Sequence, residues 1–189
     1  MTPTDLEKLK YPIGKFSYSG EVSMQQAQQW IGEIESLPLR LQNVVSQLSE
    51  KQLDTPYRPG GWTVRQVVHH IGDSHMNSLI RFKWALTEDA PTIKPYDEVG
   101  WANTAEYSAI SVSDALDFLT LLHKKLVALL RSLNEADLQR SFNHPVSGIV
   151  KLGKNIGLYA WHGNHHLAHI TELCQREGWN ISHGQEEAN

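Results

Sequence analysis

A single cysteine, Cys174, in 189 residues excludes an internal disulfide framework and a thiolate-rich metal site. A chain of this length buries a sizeable core without such staples, so a metal held here would serve chemistry rather than folding. Basic blocks are missing as well. Lys and Arg number 17 against 21 Asp and Glu, and a net charge of -4 argues against nucleic-acid binding. No apolar run approaches the ~18 residues that a membrane span needs. The first eight residues, MTPTDLEK, lack the apolar stretch of a secretory signal. These absences lead to the expectation of one soluble, cytoplasmic domain over residues 1–189, with no membrane or nucleic-acid partner.

Histidine is what the chain has in quantity. Four of its ten histidines, His162, His165, His166 and His169, fall within eight residues. On a helix, residues four apart lie on one face, so His162 pairs with His166 and His165 with His169. Two imidazoles so placed are half of a first-row metal site. The stripe through His162 and His166 continues as Tyr159, Ile170 and Leu173 and points inward. That through His165 and His169 runs on to Glu172 and Arg176, toward solvent. A ligand pair belongs on the buried face, which favours His162 and His166.

Apolar periodicity predicts four helices and no strand pattern: about 23–48, 63–86, 113–133 and 152–177. Pro38 lies inside the first and is expected to kink or restart it. Ser49-Glu-Lys-Gln52 reads as a capping box, and Thr63 as a helix cap. Residues 1–20, broken by Pro3, Pro12, Gly14 and Gly20, read as an arm laid on the body by Tyr11, Phe16 and Tyr18. A polar tail follows from residue 179. Residues 88–110 form a long loop with Tyr96, Trp101 and Tyr107, expected to be ordered over the mouth of a site. The series Leu41, Val44, Val45, Leu48, Glu50 and Leu53 recurs 85 residues on as Leu126, Leu129, Leu130, Leu133, Glu135 and Leu138. A doubled helix-loop-helix of this kind closes as an all-α, up-down four-helix bundle.

The doubling makes the second and fourth helices equivalent, so their histidines can converge and the second helix can supply a third ligand. His69 and His70 flank its apolar stripe on opposite sides, and periodicity does not choose between them. Three imidazoles with an open fourth position make a catalytic arrangement that suits Zn, Ni, Fe or Cu.

Gly61-Trp-Thr-Val-Arg-Gln-Val-Val-His69-His70-Ile71, followed by His162-x-x-x-His166, resembles the DinB superfamily of four-helix metalloproteins, and within it the YfiT branch. Pro56-Tyr57-Arg58, His75-Met-Asn-Ser78 and Lys94-Pro-Tyr-Asp-Glu98 extend the resemblance over roughly residues 11–179. It implies His70, His162 and His166 as ligands of one divalent metal, Zn or Ni, in a homodimer. It also implies a metal-dependent hydrolase or a bacillithiol S-transferase acting on small molecules. Leu167-Ala168-His169 stands where many members have Arg-Gly-Gln, a departure that bears on substrate rather than on metal.

Between those activities the residues tilt toward a low-molecular-weight thiol. A hydrolase calls for a carboxylate base, and position 163, where H-E-x-x-H enzymes carry one, is glycine. Asp73, Asp97 or Glu98 would serve only if the fold brings one close. Arg58, Arg65, Arg81, Lys83 and Lys94 are the cations expected to meet an anionic thiol. The competing reading is a non-catalytic metal-binding or structural bundle, closed by a fourth ligand such as His69 or His123. In the catalytic reading His75 and His123 are candidates to orient the ligands, a role left open for His69, His165 and His169 as well. Cys174 reads as a small buried apolar residue.

Overall fold

The structure, a computed structural model, describes residues 3–181. In chain order its helices are α1 (Pro3–Lys10), α2 (Met24–Val45), α3 (Glu50–Leu53), α4 (Val64–Thr87), α5 (Glu98–Trp101), α6 (Glu106–Ala109), α7 (Val112–Arg131), α8 (Glu135–Gln139) and α9 (Leu152–Arg176). A hairpin of β1 (Ser141–His144) and β2 (Gly148–Lys151) leads into α9. The four long helices are those the periodicity predicts, and they form a four-helix bundle. Most of the polar tail, residues 182–189, lies outside the described residues.

Local chemistry sets the helix ends. Ser23 opens α2 by accepting from the Gln26 N–H at 3.1 Å. Thr63 and Gln66 cap α4 reciprocally, Thr63 Oγ1 accepting from Gln66 N–H at 3.2 Å and Gln66 Oε1 from Thr63 N–H at 3.0 Å. Ser111 opens α7 in the same way through the Asp114 N–H. Each cap satisfies backbone donors that the first turn leaves without partners. The 85-residue repeat is visible as α3 and α8, each a short turn closed by a buried leucine, Leu53 or Leu138.

Around the bundle, α2 lies between α7 and α9, and α4 lies between the same two, so α2 and α4 occupy opposite corners. Their apolar faces fill two separate clusters. One gathers Ile31, Ile34, Phe82, Leu126 and Ile156, and the other Leu41, Val67, Ile71, Leu119 and Ile170. The levels between them carry His75 on α4, His123 on α7 and the four histidines of α9. The core is thus bisected by a layer of imidazoles.

Three local details add to the expectations. Pro38 does not restart α2, which runs through it with Pro38 buried. The arm contains the short helix α1, with Pro3 at its first position, where a missing N–H costs nothing, and with Asp5 in its first turn and Lys8 and Lys10 in its last, where the charges suit the helix dipole. No strand pattern is expected from the sequence, yet the connection between the third and fourth long helices is a hairpin, paired from Ser141–Lys151 to His144–Gly148. Asn143 also ties the 88–110 segment down: its N–H donates to Pro91 O at 2.8 Å, and its carbonyl accepts from Ile93 N–H at 3.0 Å. That segment is ordered, as expected, and holds α5 and α6.

Candidate metal centre

His70 on α4 and His162 and His166 on α9 bring one ring nitrogen each to within 4.8 Å of one another. The Nε2 atoms of His70 and His162 are 3.3 Å apart. Ring centroids are separated by 4.8 Å for His70 and His166, and by 4.5 Å for His162 and His166. All three rings line a cavity of about 470 Å³. Its walls come from α1 (Lys10), the chain just beyond it (Tyr11), the α3–α4 connection (Tyr57, Arg58, Gly60, Gly61, Trp62), α5 (Glu98, Val99) and α9 (Trp161). Trp62 is a wall of the site as well as a helix anchor, its ring 4.5 Å from that of His70.

The structure chooses His70 over His69 for this group. His69 lies against Tyr107, ring centroids 4.9 Å apart, on the side of α4 facing α6. The stripe through His165 and His169 does reach solvent at Arg176, but both histidines are themselves buried, whereas His162 of the other stripe is half-buried. His165 is 7 % exposed and His169 3 %. The arm covers them: Tyr11 lies 5.9 Å from the His165 ring, and His169 donates its Nε2–H to Lys10 O at 3.1 Å. Helical periodicity missed this because the covering carbonyl comes from a segment that has no periodic signal. With Nε2 donating, His169 Nδ1 is bare and accepts from His166 Nδ1 at 3.4 Å, which leaves His166 Nε2 for the cavity. His162 Nδ1 faces His75 Nε2 at 3.3 Å, so its Nε2 is likewise the free nitrogen.

Burial governs the protonation of the whole layer. Desolvation, followed by repulsion from neighbouring rings, holds His162 and His166 well below the usual imidazole value. His70 falls to about 4 for the same reasons. Each ring is neutral at pH 7, with a lone pair available. His70 Nδ1 is buried without a partner. Three neutral, desolvated imidazoles converging on one point, with His70 Nδ1 orphaned behind them, have the donor chemistry of a divalent-cation site. The donor set therefore fits a metal.

The carboxylates fall differently from expectation. Asp97 is spent as the cap of α5, accepting from Gly100 N–H at 2.9 Å. Asp73 accepts from the Tyr107 hydroxyl at 2.6 Å, outside the cavity. Glu98 alone among the three lines it. Gly163 carries no information about a missing base, because that position faces α2. A Cβ there would collide with the Leu37 Cδ2, so a carboxylate at 163 would point away from the cavity. Gly163→Ala is expected to destabilise the protein by about 1 kcal/mol net, overpacking outweighing the gain in helix propensity. Urea unfolding measures it, and a stabilised variant would mean that Leu37 yields freely.

Of the five cations, Arg58 lines the cavity, joined there by Lys10. Arg65 is held by Glu50 and Asp54 on the outside. Arg81 is buried behind the site, donating to the Tyr159 hydroxyl at 3.3 Å. Lys83 and Lys94 are exposed and take no part in the cavity. Cys174 is fully buried, and burial raises its thiol pKa. Among the described residues no helix is long and apolar enough to cross a membrane.

A four-helix bundle whose neutral imidazoles converge beneath an open cavity defines a histidine-centred helical-bundle protein. The chain belongs to the DinB superfamily, whose family model matches residues 24–170. It is 54 % identical over 170 residues to an Oceanobacillus iheyensis protein named "putative metal-dependent hydrolase", covering 90 % of this chain and 98 % of that one. A Bacillus mycoides protein of the same name is 56 % identical over 174 residues, 92 % of this chain and all of its own. Among solved structures it is similar to YfiT from Bacillus subtilis, described as "a probable metal-dependent hydrolase with an unusual four-helix bundle topology". That match has a TM-score of 0.89 and 48 % identity, over 92 % of this chain and 99 % of the other. A second four-helix bundle protein, TT2238, shares the fold at a TM-score of 0.53 and 17 % identity, over 75 % of this chain and 94 % of its own.

Proposed function

We propose that the protein is a metal-dependent enzyme in which His70, His162 and His166 hold one zinc or nickel ion. We further propose that it transfers a low-molecular-weight thiol, bacillithiol being the candidate, to electrophilic small molecules. One observation carries the enzyme reading: among the described residues no fourth histidine, cysteine or carboxylate joins the three rings. A structural site is closed by four protein ligands, whereas three under a cavity leave a coordination position for a reactant. The metal's contribution would be to lower the pKa of a thiol brought to it, making thiolate available at neutral pH.

The chain's own residues supply the rest. Neutral imidazoles, two buried and His162 half-buried, present lone pairs without first having to lose protons. Lys10 and Arg58 place positive charge on the cavity wall, where an anionic thiol is attracted. Trp62 and Trp161 give apolar walls for the electrophile. In the transfer, sulfur forms a bond to the electrophilic carbon, and the leaving group departs with the electron pair of the broken bond. No protein base is needed, which accords with Glu98 being the one lining carboxylate among the described residues.

Glu98 also favours a second reading, hydrolysis: among the described residues it is the one carboxylate that lines the cavity, and so the candidate to activate water. The two separate in one assay of zinc-loaded protein, with and without bacillithiol, on an alkylating electrophile and an ester or amide. Product that requires thiol and contains a carbon–sulfur bond supports transfer. Thiol-independent hydrolysis that falls by about 10²-fold or more in Glu98→Gln replaces it with the hydrolase reading.

A further inference from the structure

The histidine layer contains a chain that the proposed chemistry does not use, and it begins at a proline. Pro38 has no N–H, so the carbonyl of Ile34, four residues back in α2, loses its helical donor. A buried carbonyl so orphaned requires another partner. His123, on the neighbouring helix α7, supplies it: its Nδ1 lies 2.7 Å from Ile34 O. A carbonyl only accepts, so His123 carries its proton on Nδ1 and has a bare Nε2. His75 Nδ1 lies 2.9 Å from that Nε2 and must donate to it. The Nε2 of His75 is then bare in turn, and faces His162 Nδ1 at 3.3 Å. His162 donates there, and its Nε2 is left with the lone pair.

We propose that Ile34 O, His123 and His75 form a tautomer-setting chain, which holds His162 in the Nδ1–H form and so presents Nε2 as a metal donor. It rests on the reading of His162 as a ligand. His75 and His123 are positioning residues that act through His162, touching neither substrate nor metal. A backbone carbonyl anchors the chain, so its direction is fixed by covalent structure rather than by a charged group. His75 is fully buried and His123 is 2 % exposed, so water does not compete for their ring nitrogens. Free imidazole prefers the opposite, Nε2–H, tautomer, which would set a proton against the metal. Metal-ligating histidines ordinarily hand their second nitrogen to a carboxylate or a carbonyl. Here that carbonyl is two rings away, and it is available because residue 38 is proline.

The test is made on metal-free protein labelled with ¹⁵N at histidine, by two-bond proton–nitrogen spectra at pH 7.5. Zinc affinity is then measured by competition with a chromogenic chelator. His162, His75 and His123 should all show Nδ1–H and bare Nε2. His75→Phe should free His162 to adopt Nε2–H and weaken zinc binding about 10–100-fold. His75→Gln, which keeps an acceptor near the Nε2 position and a donor besides, should recover most of that affinity. Wild-type His162 found as Nε2–H overturns the proposal, as does an unchanged His162 tautomer in His75→Phe. If His75→Phe does not fold, the wild-type spectrum decides alone. If wild type shows the expected tautomers yet binds no zinc, the chain stands and the reading of His162 as a ligand falls.

Discussion

Replacing His166 with alanine is expected to take bound divalent metal from near one equivalent per chain to less than about a tenth, because two imidazoles without a third do not hold a divalent ion at the protein concentrations used. Turnover should fall with it by about 10³-fold or more, the several kcal/mol that a metal contributes to stabilising developing charge. The fold should survive. His166 is one ring at a cavity wall, and the two apolar clusters on either side of the layer remain complete. His69→Ala is the control, since His69 packs against Tyr107 away from the group. Elemental analysis of untagged protein gives the metal content, and helical circular dichroism checks the fold. A His166→Ala protein that keeps its metal would move the site elsewhere.

Metal-free protein is expected to unfold steeply between about pH 6.5 and pH 4. His70 and His123 have folded pKa values of about 4, against 6.5 when exposed, because burial disfavours the charged ring. Between those values the unfolded chain binds protons that the folded chain refuses, so stability falls as pH drops. From pH 7.5 to pH 5 each of these two rings costs about 2 kcal/mol. His75, His162 and His166 are lowered further by the same desolvation and add in the same direction. Set against a typical total of about 5–15 kcal/mol, the layer alone is enough to unfold the chain. Zinc, by binding the native state alone, is expected to shift the transition to lower pH. Circular dichroism against pH, with chelator and with excess zinc, measures both effects. A metal-free chain still helical at pH 4 would show that the layer is hydrated or charged.

How much of this was legible in the sequence depended on whether a residue's partner lay on its own helix. His162 and His166 could be paired because the turn that joins them is written in their spacing. The four long helices were legible for the same reason, from apolar residues recurring every three or four positions. His70 was not separable from His69 by periodicity. What separates them is which side of α4 faces α9, a matter of packing that only the family resemblance supplied in advance. The burial of His165 and His169 was hidden because Lys10 O and Tyr11 reach them from an arm more than 150 residues away. Pro38 was visible, but the partner its effect calls in was not. Its chemical effect falls on the Ile34 carbonyl and is absorbed by a histidine on another helix, leaving α2 continuous. Gly163 misled, as an apparent gap in a catalytic motif that is in fact the close approach of α9 to α2.

The central claim is that three imidazoles hold one metal with a position left open for a reactant. X-ray absorption at the zinc edge on reconstituted protein tests it most directly. Three imidazole nitrogens at about 2.0 Å and one further light atom, replaced by sulfur when thiol is added, is the result expected. Four protein ligands unchanged by thiol would contradict it, and would make this bundle a structural site.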